Sequence, residues 1–158
     1  MQLKNQVEWA LHCCAILAGL GPDRHLPTRD LAELHGVPKE YLSKALQALS
    51  QAGIVDGTLG PSGGYRLARG SAETRVSEII LAVDEPIKAT RCTEMGATGC
   101  LADRSKCLTH DLWEELGNQI HMFLASVTLA DVLERKIAPR LAEAPPTAAN
   151  NDSMAAAS

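Results

Sequence analysis

The chain has 158 residues, 46% of them hydrophobic and 22% charged, with a net charge of −4, the proportions of a soluble globular protein of one or two small domains. No run approaches the ~18 apolar residues that span a bilayer, and no charged stretch followed by an apolar run and a cleavage site opens the chain. A cytoplasmic protein with no membrane contact is therefore expected. Aromatic residues make up only 3%, so the core must be aliphatic and alanine-rich. Residues 1–70 carry seven Lys/Arg and six Asp/Glu, whereas residues 71–158 carry eight and thirteen. The N-terminal part is thus less repelled by phosphates than the C-terminal part. Five cysteines in such a chain point to metal binding or redox chemistry rather than a disulfide framework.

Val7, Leu11, Cys14, Ala15 and Ala18 recur at helical spacing and predict a first helix over about 3–19, ended by Gly19, Gly21 and Pro22. Thr28 is the expected N-cap of a short helix over 29–35, with Leu31 and Leu34 inward. Gly36 permits a tight turn, and Pro38 opens a third helix that buries Tyr41 or Leu42 with Ala45, Leu46 and Leu49. Two short helices joined through a glycine form a helix-turn-helix pattern, whose second helix enters the major groove by its N-terminal residues. Residues 54–56 and 65–67 read as strands around a Gly/Pro-rich turn, a wing placed directly after that helix. The side chains expected to meet DNA are Thr28, Lys39, Tyr41, Ser43 and Lys44, with Ser62, Gly63 and Arg66 from the wing. Glu40, Gln47 and Arg69 are further exposed candidates, and the Gly63–Gly64 backbone is bare enough to approach a groove closely.

A short helix over 76–83, capped by Ser77, comes next. A helix of about fifteen residues with one apolar stripe, Leu112, Leu116, Ile120, Phe123 and Leu124, follows further on, and pairing with a second copy is the economical use of that stripe. Thr128 caps a last short helix ending near Ile137. The predicted fold is mainly α with a small β wing: a winged helix-turn-helix (1–70), a cluster-binding loop with dimerisation helices (71–137) and a disordered tail (138–158).

Between the last two groups of helices, Cys92, Cys100 and Cys107 stand as C-x7-C-x6-C in an irregular segment. Thiolates are soft ligands for zinc, copper(I) or iron–sulfur clusters. Structural zinc sites favour CxxC pairs, which are missing here, while wider spacing suits a bulkier cluster. Three cysteines leave one position to another residue, and the candidates are Glu8, His12 and His110. Glu8 and His12 stand four apart on one helix face that is otherwise apolar, with a weak surface ion pair as the plainer reading. Trp9 beside them is either core or part of a cluster pocket. Cys13 and Cys14 read as small core residues, and His25, His35 and His121 as solvent-facing. No nucleophile–base signature, phosphate loop or nucleotide motif suggests an enzyme.

Taken in order, YLSKALQALSQAGIV, the wing GPSGGYRL, VSEIILAVDE, the cysteines with KCLTHDLW, and TLADVL resemble the Rrf-type family of winged-helix regulators, the group of IscR, NsrR and RsrR. The resemblance covers about residues 1–135. It implies a homodimeric, non-enzymatic transcription factor, a repressor, whose affinity for promoter DNA changes with the redox state, nitrosylation or loss of an iron–sulfur cluster. One branch implies a 2Fe-2S cluster on Cys92, Cys100, Cys107 and His110. A second, matched by VEWALHCC, implies Glu8 and His12 ligating across the dimer. A third implies a 4Fe-4S cluster on three cysteines and Glu8. The 2Fe-2S type is favoured because both histidines are present, with 4Fe-4S as the alternative. An iron-free DNA-binding protein, zinc-stabilised or switched by its thiols, is the competing class.

Overall fold

The computed structural model describes residues 4–60, 63–84, 107 and 109–137. The helices are α1 (Asn5–Leu20), α2 (Thr28–His35), α3 (Lys39–Gln51), α4 (Val76–Val83), α5 (His110–Ser126) and α6 (Leu129–Leu133). The strands are β1 (Val55–Thr58) and β2 (Gly64–Leu67). The expected tail, like Cys92, Cys100 and Ser62, lies outside the described residues.

Helix α1 is the hub of the core and packs on α3, α4, α6 and β2. Its buried residues are Val7, Ala10, Cys13, Cys14 and Leu17. The stripe is therefore rotated from the one predicted, with Leu11, Ala15 and Ala18 only half-buried. Apolar residues surround most of this helix, so periodicity alone could not orient it. One buried cluster joins Leu17 to Leu31, Leu42, Leu46, Leu49 and Ile54, and also to Ile79 and Leu129. The C-terminal helices thus complete the core of the helix-turn-helix.

The turn between α2 and α3 is closed by Gly36 in the left-handed region (φ 62°, ψ 30°). Its amide donates to the Glu33 carbonyl, and the Val37 amide donates to that of Ala32. In α3, Leu42 is fully buried, whereas Tyr41 is 57% exposed, which decides between the two. The hairpin is antiparallel, from Val55↔Leu67 to Thr58↔Gly64, and Leu26 extends it through two hydrogen bonds with Tyr65, each 2.9 Å.

Two expected caps shift. Helix α2 includes Thr28 and is preceded by Pro27, and α4 begins at Val76 with Arg75 as its N-cap. There the Glu78 carboxylate accepts from the Arg75 amide at 2.9 Å. Thr128 caps α6 as predicted: its hydroxyl accepts from the Asp131 amide (3.2 Å), and the Asp131 carboxylate accepts from the Thr128 amide (2.9 Å). The same corner is tied to the start of α4 by Val76 N–H to Val127 O and Leu129 N–H to Thr74 O, both 2.9 Å.

These contacts set a stability hierarchy. Leu31→Ala, in the sealed core, should cost about 2–5 kcal/mol, and Thr128→Ala about 1 kcal/mol, as read from urea unfolding midpoints. A larger loss from the cap than from the core would contradict this packing.

Candidate nucleic-acid interface and metal ligands

Helix α3 turns Leu42, Ala45, Leu46 and Leu49 inward and presents Lys39, Glu40, Lys44 and Gln47 to solvent. The Ser43 hydroxyl donates to the Lys39 carbonyl within the same helix (2.8 Å). Between the wing and the starts of α2 and α3 lies a cleft of about 530 Å³, lined by Thr28, Arg29, Lys39, Thr58, Gly63 and Gly64 among others. Arg29 was not singled out from the sequence. Its place in the first turn of α2 was the available signal; there it meets Asp30 at 3.5 Å and Glu33 at 3.7 Å.

The bare wing glycines have a cause within the fold. A Cβ on Gly63 would lie 2.3 Å from the Thr58 carbonyl oxygen, and one on Gly64 2.4 Å from that of Leu26. Both arginines of β2 and its flank are engaged internally. Arg66 donates to the Pro22 carbonyl (3.1 Å) and to Asp56 (3.3 Å), and Arg69 pairs with Glu78 of α4 (3.3 Å).

On α1, Glu8 and His12 are exposed together with Asn5, while Leu11 and Ala15 beside His12 are half-buried. Among the described residues no ion pair joins them. His12 instead stacks on His35, with centroids 5.5 Å apart and planes 10° apart. His35 is not solvent-facing as expected: its Nε2 is covered, with no hydrogen-bond partner among the described residues, and burial, then the neighbouring His12, lower its pKa. His25 is likewise half-buried with a covered Nε2, while His121 is exposed. Trp9 is half-buried against the core and meets Tyr41 of α3 at 6.2 Å. His12 also lines an apolar cleft of about 320 Å³ with Leu11, Phe123, Leu124 and Val132.

Cys107 and His110 meet at the start of α5, where the His110 amide donates to the Cys107 carbonyl (3.2 Å). The Thr109 amide and hydroxyl hold the Cys107 thiol below its ordinary pKa, favouring the thiolate that ligates metal. His110 Nδ1 faces Asp111 (3.2 Å) and Glu114 (3.6 Å). An N–H donated there leaves the Nε2 lone pair for a metal, as ligating histidines are commonly oriented. Among the described residues, these three are the one group of three possible donors with all ligand atoms within 4.8 Å of one another. Glu8 and His12 belong to no such group among the described residues. Cys13 and Cys14 are core thiols. Burial pushes Cys13 up to about 12, and burial together with Cys13 raises Cys14 further.

A helix-turn-helix followed directly by a two-stranded wing is the architecture of a DNA-binding regulator. A sequence profile described as Rrf2, iron-dependent transcriptional regulator, matches residues 3–135, and the chain belongs to this family. The HTH-type transcriptional regulator IscR of Photorhabdus laumondii is 34% identical over 136 residues, 86% of this chain and 81% of that protein; IscR of Yersinia pestis matches to the same extent. Among solved structures, T. potens IscR superposes with a TM-score of 0.65 at 27% identity, covering 86% of this chain and 88% of that one. CymR, the global cysteine regulator of B. subtilis, gives 0.72 at 19% identity, covering 85% and 98%, a likeness of fold. The protein is a DNA-binding transcriptional regulator of the IscR type and not an enzyme.

The thiols should differ sharply in reactivity. In metal-free protein near pH ~8, iodoacetamide should modify Cys107 in the native state and reach Cys13 and Cys14 only after denaturation, as peptide mass mapping would show. Native labelling of Cys13 or Cys14 would contradict their burial.

Proposed function

We propose that the protein is a homodimeric repressor, acting on promoter DNA in the cytoplasm, whose affinity is set by a bound iron–sulfur cluster of the 2Fe-2S type. The observation that carries this reading is the double contact of α1 with the reading head. His12 stacks on His35, the last residue of α2, and Trp9 meets Tyr41 in the first turn of α3. A candidate ligand and its neighbour thus touch both helices of the helix-turn-helix.

The donor chemistry fits such a cluster. Cys107 is a partly accessible thiol with a lowered pKa, and Glu8 and His12 are exposed carboxylate and imidazole donors. Cys92, Cys100 and Cys107 would hold it with Glu8 and His12 of a second copy; His110, oriented by Asp111 and Glu114, is the local alternative. When bound, the cluster supplies one-electron redox chemistry and reactivity toward oxidants and nitric oxide. The chain's own part is mechanical: any displacement of His12 is passed to the end of α2, and any displacement of Trp9 to the start of α3. A hundredfold change in promoter affinity needs only about 2.7 kcal/mol of coupling.

Dimerisation is supported by α5, which packs on α4 while Leu112, Leu116 and Met122 stay exposed at 61%, 41% and 58%. A run of large apolar side chains on one helix favours burial against a second copy.

Anaerobic purification tests the cofactor: a coloured protein with the absorption and EPR spectrum of a 2Fe-2S cluster is expected. Colourless protein with stoichiometric zinc, or with no metal, would replace this reading with the iron-free class. Glu8→Ala and His12→Ala should alter the EPR spectrum or lose the cluster. If only His110→Ala does so, the ligand set is local. Lys44→Ala should weaken promoter binding and reduce the salt slope by about 1, and Leu116→Glu should shift the sedimentation coefficient to that of a monomer.

A further inference from the structure

We propose that Glu40 is a base-reading residue that makes the regulator select cytosine at one position of each half-site. The inference rests on α3 being the recognition helix, as in the reading above, and goes beyond it to the chemistry of the DNA recognised.

The core residues Leu42, Ala45, Leu46 and Leu49 fix the inward side of α3. The side diametrically opposite is then occupied by Glu40, Lys44, Gln47 and Gln51, spaced i, i+4, i+7 and i+11 and all exposed. Glu40 is the first of this stripe and sits in the first turn of the helix, the part of a recognition helix that reaches base edges. It is also the only acidic residue in α3. Spacing would allow it to pair with Lys44. Yet among the described residues neither Glu40 nor Lys44 makes an ion pair or a side-chain hydrogen bond. The carboxylate is thus uncommitted at the centre of the face that meets DNA.

A carboxylate there cannot be a phosphate contact, since like charges repel. In free protein the positive end of α3 favours it; in the major groove its complement is a base edge that donates. In the major groove guanine offers the acceptors N7 and O6, and thymine the acceptor O4. Cytosine N4 and adenine N6 are the donors, and adenine sets the acceptor N7 beside its amino group. Cytosine is therefore the base whose edge a carboxylate matches without an opposing lone pair. Lys44, one turn further on, has the complementary chemistry for a guanine edge or a phosphate. The pair of side chains makes α3 a filter: the lysine favours DNA in general, and the glutamate penalises every site without the right donor.

The test is binding-site selection from randomised duplex DNA, run with anaerobically purified protein, with and without its iron, for the wild type, Glu40→Ala and Glu40→Gln. The wild type should enrich a motif with a fixed cytosine in each half-site, and replacing that base should weaken binding roughly 5- to 150-fold. Glu40→Ala should accept all four bases there, with non-specific affinity raised several-fold. Glu40→Gln should move the preference toward adenine, whose N6 and N7 an amide matches. The same motif from the wild type and both variants would overturn the role of Glu40 while leaving DNA recognition by α3 in place. A wild type that enriches no motif in either form would overturn both.

Discussion

Helix α1 has to satisfy two sets of neighbours at once. Its inner side, Val7, Ala10, Cys13, Cys14 and Leu17, is sealed against α3, α4, α6 and β2, and burial of this much aliphatic surface is the main force holding those elements together. With that side fixed, the rest of the helix has no rotational freedom. Glu8 and His12 must face outward, and Trp9 must lie against α3. The outward position of Glu8 and His12 is therefore a consequence of core packing, and Trp9 and His12, midway along the helix, are its contacts with α3 and α2.

The reading head is itself rigid for local reasons. Gly36 closes the turn in a left-handed conformation that other residues adopt only at a cost. The wing is pinned where Gly64 passes the Leu26 carbonyl and where Arg66 and Arg69 tie it to the α1–α2 connection and to α4. The two arginines stiffen the scaffold, while the uncommitted charges of α3 stay available to DNA. The division is economical, because a charge already satisfied within the fold contributes less to releasing counterions from phosphates.

Much of the fold was legible because its signals are local. The helix-turn-helix, the wing, the long α5 and the Thr128 cap follow from spacing and turn chemistry, and Thr128 succeeds because Asp131 three residues on completes a reciprocal cap. Thr28 and Ser77 carry the same hydroxyl without that reciprocal partner, and they fall inside their helices behind Pro27 and Arg75. The rotation of α1 was illegible because its apolar residues run around most of the helix. His35 was misjudged because its ring stacks on that of His12, a residue distant in sequence.

The sequence by itself determined the order of elements, the residue types able to chelate iron and the family to which the chain belongs, since all of these rest on local patterns. Tertiary structure alone decided that Glu8 and His12 are exposed, that His12 and Trp9 meet the two helices of the reading head, and that Arg66 and Arg69 are engaged within the fold. The physical reason is that such partnerships join residues distant in the chain, and they are fixed only when the buried side of α1 has chosen its neighbours.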